Sequence, residues 1–103
     1  MRKSLLFGLL FICLGLCSFD FYQENKVIED GKELYLTYCK SCHGKKGGLG
    51  LLGAAKLTKS KMDLDQRIEI ITNGKGTMTP FGTILSKKEI KKIAEFTMTF
   101  SND

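Results

Sequence analysis

The chain has 103 residues, 43% of them hydrophobic and 26% charged, with 16 lysines and arginines against 11 acidic residues and a formal net charge of +5. That length suits one domain with a modest core, and no apolar run reaches the ~20 residues of a membrane-spanning helix. The basic balance does not indicate nucleic-acid binding, because the lysines are not interleaved with the aromatic residues on which single-stranded bases stack.

Met1-Arg2-Lys3-Ser4 precedes an uncharged apolar stretch from Leu5 to Leu16, the pattern of an export signal. Cleavage near Cys17 or Ser18 divides the chain into a leader over 1–17, a polar lead-in over 18–26 and a single domain over 27–103. A lipid anchor on Cys17 is the alternative, although Leu16 is bulkier than the small residue that such a signal takes before its cysteine. Either way the expected location is periplasmic or otherwise extracytoplasmic, free or attached to the membrane through the N-terminus.

Three segments carry helix starts of one kind: Asp30 with Glu33, Asp63 with Gln66, and Ser86 with Glu89. Each places a side-chain acceptor at the N-cap and a returning Glu or Gln at the third helical position. The first helix is expected over Gly31 to Lys40, with Leu34, Tyr35 and Tyr38 on its apolar side. The second runs from Leu64 to Thr72, where Leu64, Ile68 and Ile71 share a face and Asn73-Gly74 supplies the stop. The third spans Lys87 to about Phe100, with Leu85 and Ile90 placed as a hydrophobic staple. No segment alternates as a strand would, so the fold is expected to be all-α. The long stretch between the first two helices exceeds what a compact domain tolerates unless the loop wraps something.

Cys39-Lys40-Ser41-Cys42-His43 supplies that something. Two cysteines three apart at the end of a helical turn can form thioethers to two vinyl groups along one porphyrin edge, and the next residue, His43, can turn its imidazole to the iron. One covalently attached haem c is therefore expected. A disulfide or thioredoxin-like pair would follow a strand, whereas here a capped helix precedes Cys39. A zinc site would want a further Cys or His after the leader, and the sequence has none.

An iron held by one histidine keeps an open position, while a methionine thioether closes it and raises the reduction potential. Met62 sits at a helix entrance and Met98 in the last helix. Met78 lies in Gly74-Lys75-Gly76-Thr77-Met78-Thr79-Pro80-Phe81-Gly82, where glycines let backbone approach a porphyrin face and Pro80 stiffens the turn. Met78 is the expected distal ligand and His43 the proximal one. The rival reading is a gas-binding or sensory haem module with an open sixth position. Catalysis is not expected, since the single histidine is already used beneath the iron.

Taken together, these residues resemble the small bacterial class I, single-haem cytochromes c. The resemblance runs from Gly31-Lys32-Glu33-Leu34-Tyr35 through Cys39 to Gly44, Gly53-Ala54-Ala55-Lys56-Leu57, Ile70-Ile71-Thr72-Asn73-Gly74 and the Met78 segment to Leu85-Ser86-Lys87-Lys88-Glu89-Ile90 and Ile93-Ala94-Glu95-Phe96. It implies a cytochrome c fold of three main helices, the first and last crossing at Gly31 with Tyr35 meeting Phe96. It also implies thioethers at Cys39 and Cys42, axial ligation by His43 and Met78, and an Ala55 carbonyl accepting from the proximal imidazole where the family often has proline. A respiratory-chain electron carrier would exchange electrons with an oxidase, a reductase or a quinol-oxidising complex. Leu51, Leu52, Leu57, Ile68, Ile71, Phe81, Leu85 and Ile93 are the expected apolar lining, some of them packing helix on helix. Lys40, Lys45, Lys46 and Lys75 either steer an acidic partner or form a solvated surface; Lys87, Lys88, Lys91 and Lys92 read as a solvated face.

Overall fold

The computed structural model describes residues 25–100; the expected leader over 1–17 and most of the expected lead-in, with Cys17, lie outside them. Helix α1 occupies 25–38, and a turn at Cys39 leads into the single helical turn α2 (Lys40–His43). Two short 3-10 turns, Leu51–Gly53 and Leu57–Lys59, interrupt the loop that follows. Helices α3 (Leu64–Asn73) and α4 (Lys87–Thr97) complete the fold. There is no strand among the described residues, and no helix among them is long and apolar enough to cross a membrane.

Both capping boxes on α3 and α4 form as the sequence indicates. Gln66 N–H donates to Asp63 Oδ1 at 2.9 Å while Asp63 N–H donates to Gln66 Oε1 at 3.0 Å. Ser86 and Glu89 make the same reciprocal pair, and Leu85 and Ile90 are both buried in the core beside it. Gly74, at positive φ, ends α3 with its N–H on the Ile70 carbonyl at 2.7 Å.

The first helix departs from expectation at its start. Asp30 is not an N-cap: α1 is already helical at 25, since Val27 and Ile28 extend the apolar stripe of Leu34, Tyr35 and Tyr38 by a further turn. The Asp30 carboxylate instead accepts the Lys92 ammonium at 3.1 Å, so Lys92 is an interhelical contact and not only a solvated cation. The last helix also stops earlier, at Thr97. Beyond it the chain tightens into turns, Thr99 N–H to Phe96 O and Phe100 N–H to Thr97 O, which lay the Phe100 ring over Gly47 and against Tyr35.

The core is Tyr35, Cys39, Ile71, Phe81, Leu85, Ile90, Ile93 and Ala94. Helices α1 and α4 cross where Gly31 meets the Lys92 backbone; a Cβ on Gly31 would lie 2.2 Å from the Lys92 carbonyl oxygen. One turn further on, Tyr35 and Phe96 are tilted rings with centroids 5.4 Å apart, an arrangement that adds to simple area burial.

Candidate functional site

The end of α1 and the turn α2 present the cysteine pair and the histidine as one rigid unit. Cys39 N–H donates to Tyr35 O at 2.8 Å, and His43 N–H donates to Cys39 O at 3.1 Å. The helical path therefore continues across the Cys39 turn, with Cys42 and His43 following on one turn of backbone. Cys39 is buried and Cys42 half-buried, and no disulfide joins them. Before any haem is attached, burial pushes the Cys39 thiol up to about 12, with the nearby Cys42 adding to the effect. Tyr35 O–H donates to Gly44 O at 2.7 Å, so the phenol at the helix crossing also pins the residue after His43. Its burial, and then Cys39, raise it well above the ordinary phenol range.

His43 is buried, and its Nδ1 stands 2.8 Å from the Ala55 carbonyl oxygen. A carbonyl only accepts, so Nδ1 carries the proton and Nε2 keeps its lone pair for a metal. The loop folds back to allow this: Leu49 N–H reaches His43 O at 3.0 Å, and Thr58 N–H reaches Gly47 O at 3.2 Å. Ala54, extended at φ −62° and ψ 142°, aims the next carbonyl at the ring.

Met78 is half-buried and, unlike Met62 and Met98, packs against the core. Its N–H closes a turn onto Lys75 O at 3.0 Å. Gly74 permits that turn, since a Cβ there would lie 2.6 Å from the Met78 carbonyl oxygen. Phe81 N–H and Gly82 N–H then donate to Ile71 O and Thr72 O, returning the segment to α3. A further link was not legible in the sequence: the Thr77 hydroxyl donates to Leu52 O at 3.3 Å, joining the Met78 segment to the glycine-rich loop. Leu52 is the single non-glycine residue at positive φ among those described (φ 55°, ψ 34°).

Of the expected lining, Ile71, Phe81, Leu85 and Ile93 are buried, and Leu57 and Ile68 pack partly against them. Leu51 and Leu52 turn outward, Leu52 being 78% exposed. Lys40, Lys45, Lys46 and Lys75 are all exposed.

Sequence reasoning also missed Arg67. Its guanidinium donates to Met62 O (2.9 Å), to Ser60 O (3.4 Å) and, through Nη1, to both Thr97 O and Thr97 Oγ1 (3.1 Å each), tying the loop, α3 and the end of α4 together. Partial burial lowers its pKa. The available signal was that, apart from Arg2, it is the single arginine in a chain that otherwise uses lysine; a fixed fork of donors is what lysine cannot supply.

A neighbouring thiol pair followed by a histidine whose tautomer is fixed with Nε2 available fits a covalently held haem, while Met78 offers a thioether from a turn packed on the core. Comparison with known proteins agrees. Residues 26–96 match the family model described as cytochrome c oxidase, cbb3-type, subunit III. Cytochrome c6 of Rippkaea orientalis is 36% identical over 76 residues, covering 66% of each chain. Cytochrome c6 of Microcystis aeruginosa is 30% identical over 76 residues, covering 67% of this chain and 91% of that one. The dehydrogenase subunit of the quinone alcohol dehydrogenase of Acetobacter aceti is 29% identical over 86 residues, 78% of this chain and only 11% of that subunit. No solved structure matches at a significant level. The chain belongs to this cytochrome c family, as a small, all-α, single-haem class I cytochrome c with covalently bound haem c, in a family of electron-transfer proteins rather than enzymes.

Proposed function

We propose that the protein is an extracytoplasmic single-electron carrier, with haem c joined through Cys39 and Cys42 and held axially by His43 and Met78. The observation that carries this reading is the 2.8 Å contact from His43 Nδ1 to the Ala55 carbonyl, directly after the cysteine pair. That contact fixes the ring, leaves Nε2 as the donor and makes it a better one. When bound, the haem supplies a one-electron iron couple whose potential a histidine and methionine pair shifts upward.

The chain's own residues account for the rest. Tyr35, through its hydroxyl on Gly44 O, keeps the His43 turn from swinging away from α1. Gly74 and the Lys75 turn hold Met78 against the core, and buried Phe81 and Leu85 exclude water behind it. Export is proposed from the leader, and the partners are redox proteins of a respiratory chain.

The test is the visible spectrum of the exported protein, expressed with haem-attachment machinery. A sharp reduced α-band that survives acid-acetone extraction, with a far-red methionine-to-iron band lost in Met78→Ala, supports the carrier. Extractable haem overturns the attachment at Cys39 and Cys42. Immediate carbon monoxide binding by the reduced wild-type protein overturns ligation by Met78 and reassigns the protein as a ligand-binding module.

A further inference from the structure

The residues proposed to hold the haem lie on two arms of the fold. Cys39, Cys42 and His43 continue the path of α1, whereas Met78 sits on the segment between α3 and α4. Among the described residues, every hydrogen bond donated from 74–82 goes to α3, within the segment or to Leu52: Gly74 N–H to Ile70 O, Met78 N–H to Lys75 O, Phe81 N–H to Ile71 O, Gly82 N–H to Thr72 O and the Thr77 hydroxyl to Leu52 O. None of them reaches α1.

A pair of rings spans that gap. Tyr38, the residue before Cys39, and Phe81, three residues after Met78, stand with centroids 5.9 Å apart and planes at 72°, the edge-to-face form that aromatic pairs favour. The two rings are held differently. Phe81 is buried, its N–H on Ile71 O and its carbonyl accepting from Ile84 and Leu85, so the backbone fixes its direction. Tyr38 borders the buried stripe of Gly31, Tyr35 and Cys39 and is 40% exposed. Its hydroxyl makes no hydrogen bond among the described residues, so what Tyr38 offers the fold is its ring.

We propose that Tyr38 is a positioning residue for Met78: its ring latches Phe81 to the helix that carries Cys39, and so keeps the Met78 thioether seated as the distal ligand. The role rests on axial ligation by Met78. Its route is short at both ends. Tyr38 is joined directly to Cys39, one of the two attachment points, and Phe81 follows Met78 across a stretch that Pro80 stiffens, so a displaced Phe81 ring carries the thioether with it. The role differs from that of Tyr35, which works through its hydroxyl on Gly44 O and on the proximal side. Tyr38 acts on the distal side and through its ring alone.

The experiment compares the wild-type holoprotein with Tyr38→Phe, Tyr38→Leu, Phe81→Leu and the double leucine variant. It measures the rate of carbon monoxide binding to the reduced protein, the far-red band of the oxidised protein, and amide exchange at Phe81 and Gly82 by NMR. Tyr38→Leu is expected to bind carbon monoxide roughly two- to tenfold faster, the factor that one edge-to-face pair is worth, with a weaker far-red band and faster exchange at both amides. Tyr38→Phe keeps the wild-type behaviour, and Tyr38→Leu adds little once Phe81 is already leucine. Additive effects of the two leucines overturn the latch, as does a Tyr38→Phe variant that binds as fast as Tyr38→Leu. Ile90→Val trims a fully buried side chain and lowers Tm without touching the ring pair; if it speeds binding equally, Tyr38 acts through global stability and the positioning role is overturned. Wild-type protein that binds carbon monoxide at once overturns Met78 as ligand and the role of Tyr38 with it, whereas slow wild-type binding left unchanged in Tyr38→Leu overturns the role of Tyr38 alone, so the two failures are distinguishable.

Discussion

Gly31 and Lys92 touch backbone to backbone: the α-carbon of the first helix lies so close to the carbonyl of the last that a methyl group there would stand 2.2 Å from the oxygen. Gly31→Ala forces the crossing apart and is expected to cost about 1–3 kcal/mol, as overpacking does. For a domain of this size each kcal/mol lowers Tm by roughly 4–8 °C, which thermal unfolding of the holoprotein followed at the haem band will read. Gly48→Ala, where an added Cβ meets nothing within 4 Å, is the matched control and leaves Tm nearly unchanged.

Ala55→Pro is expected to be tolerated or stabilising, by about 0.4–1 kcal/mol through a stiffer unfolded chain. Ala54 already has the extended backbone that a following proline demands, the Ala55 N–H donates no hydrogen bond that proline would forfeit, and the carbonyl that holds His43 is kept. Denaturant titration checks the sign; a lower midpoint than the parent refutes it.

Arg67 bonds three carbonyls and a hydroxyl on two parts of the chain, the loop at Ser60 and Met62 and the end of α4 at Thr97. Lysine reaches one or two of them, so Arg67→Lys is expected to lose about 2 kcal/mol, the scale of charge-assisted hydrogen bonds left unmade. Faster proteolytic nicking between Ser60 and Asp63 should accompany the loss, and an unchanged protease pattern would show that the clamp does not hold that loop.

The Ser86 backbone N–H, and then its hydroxyl, hold the Glu89 carboxylate below its ordinary value of 4.5. A carboxylate depressed in the folded state contributes stability that is present above that ordinary value and lost as pH falls through the depressed one. Glu89→Gln keeps an amide oxygen for the reciprocal bond but has nothing to titrate. The Tm difference between parent and variant is therefore expected to favour the parent at pH 7 and to shrink on acidification to about pH 3; a constant difference would contradict it.

The Thr77 hydroxyl on Leu52 O fastens the Met78 segment to the loop opposite it in sequence. With Met78 as the proposed distal ligand, Thr77→Val removes the donor at nearly constant shape and is expected to loosen that ligand, so that carbon monoxide binds the reduced protein faster and the far-red band weakens, while Thr77→Ser restores both. If valine behaves as serine does, the hydroxyl has no part in placing Met78.

What the sequence made legible was local. The two reciprocal caps at Asp63 and Ser86 are decided within four residues, and both form. The cysteine pair and His43 lie on one turn, and the Ala55 carbonyl stands where the family resemblance puts it. Asp30 looked like a third cap from its own neighbourhood, yet a cation from the last helix claims its carboxylate and an earlier apolar turn prolongs the helix past it. Arg67 and Thr77 act across 30 and 25 positions, beyond what local spacing encodes. The positive φ of Leu52 carries no glycine or asparagine to announce it.

The crossing of α1 and α4 also governs how the chain must assemble. Asp30 and Lys92, which meet across it, are 62 positions apart, so the contact forms only after most of the polypeptide has been gathered into a closed loop. Closure entropy grows slowly with length, about 0.6 kcal/mol for each doubling, but it falls due before the Tyr35 and Phe96 rings can repay it. A pairing this distant in sequence is slower to find than a helix's local contacts, and whatever gathers the intervening loop early, a covalently tethered group at Cys39 and Cys42 included, shortens the search for it.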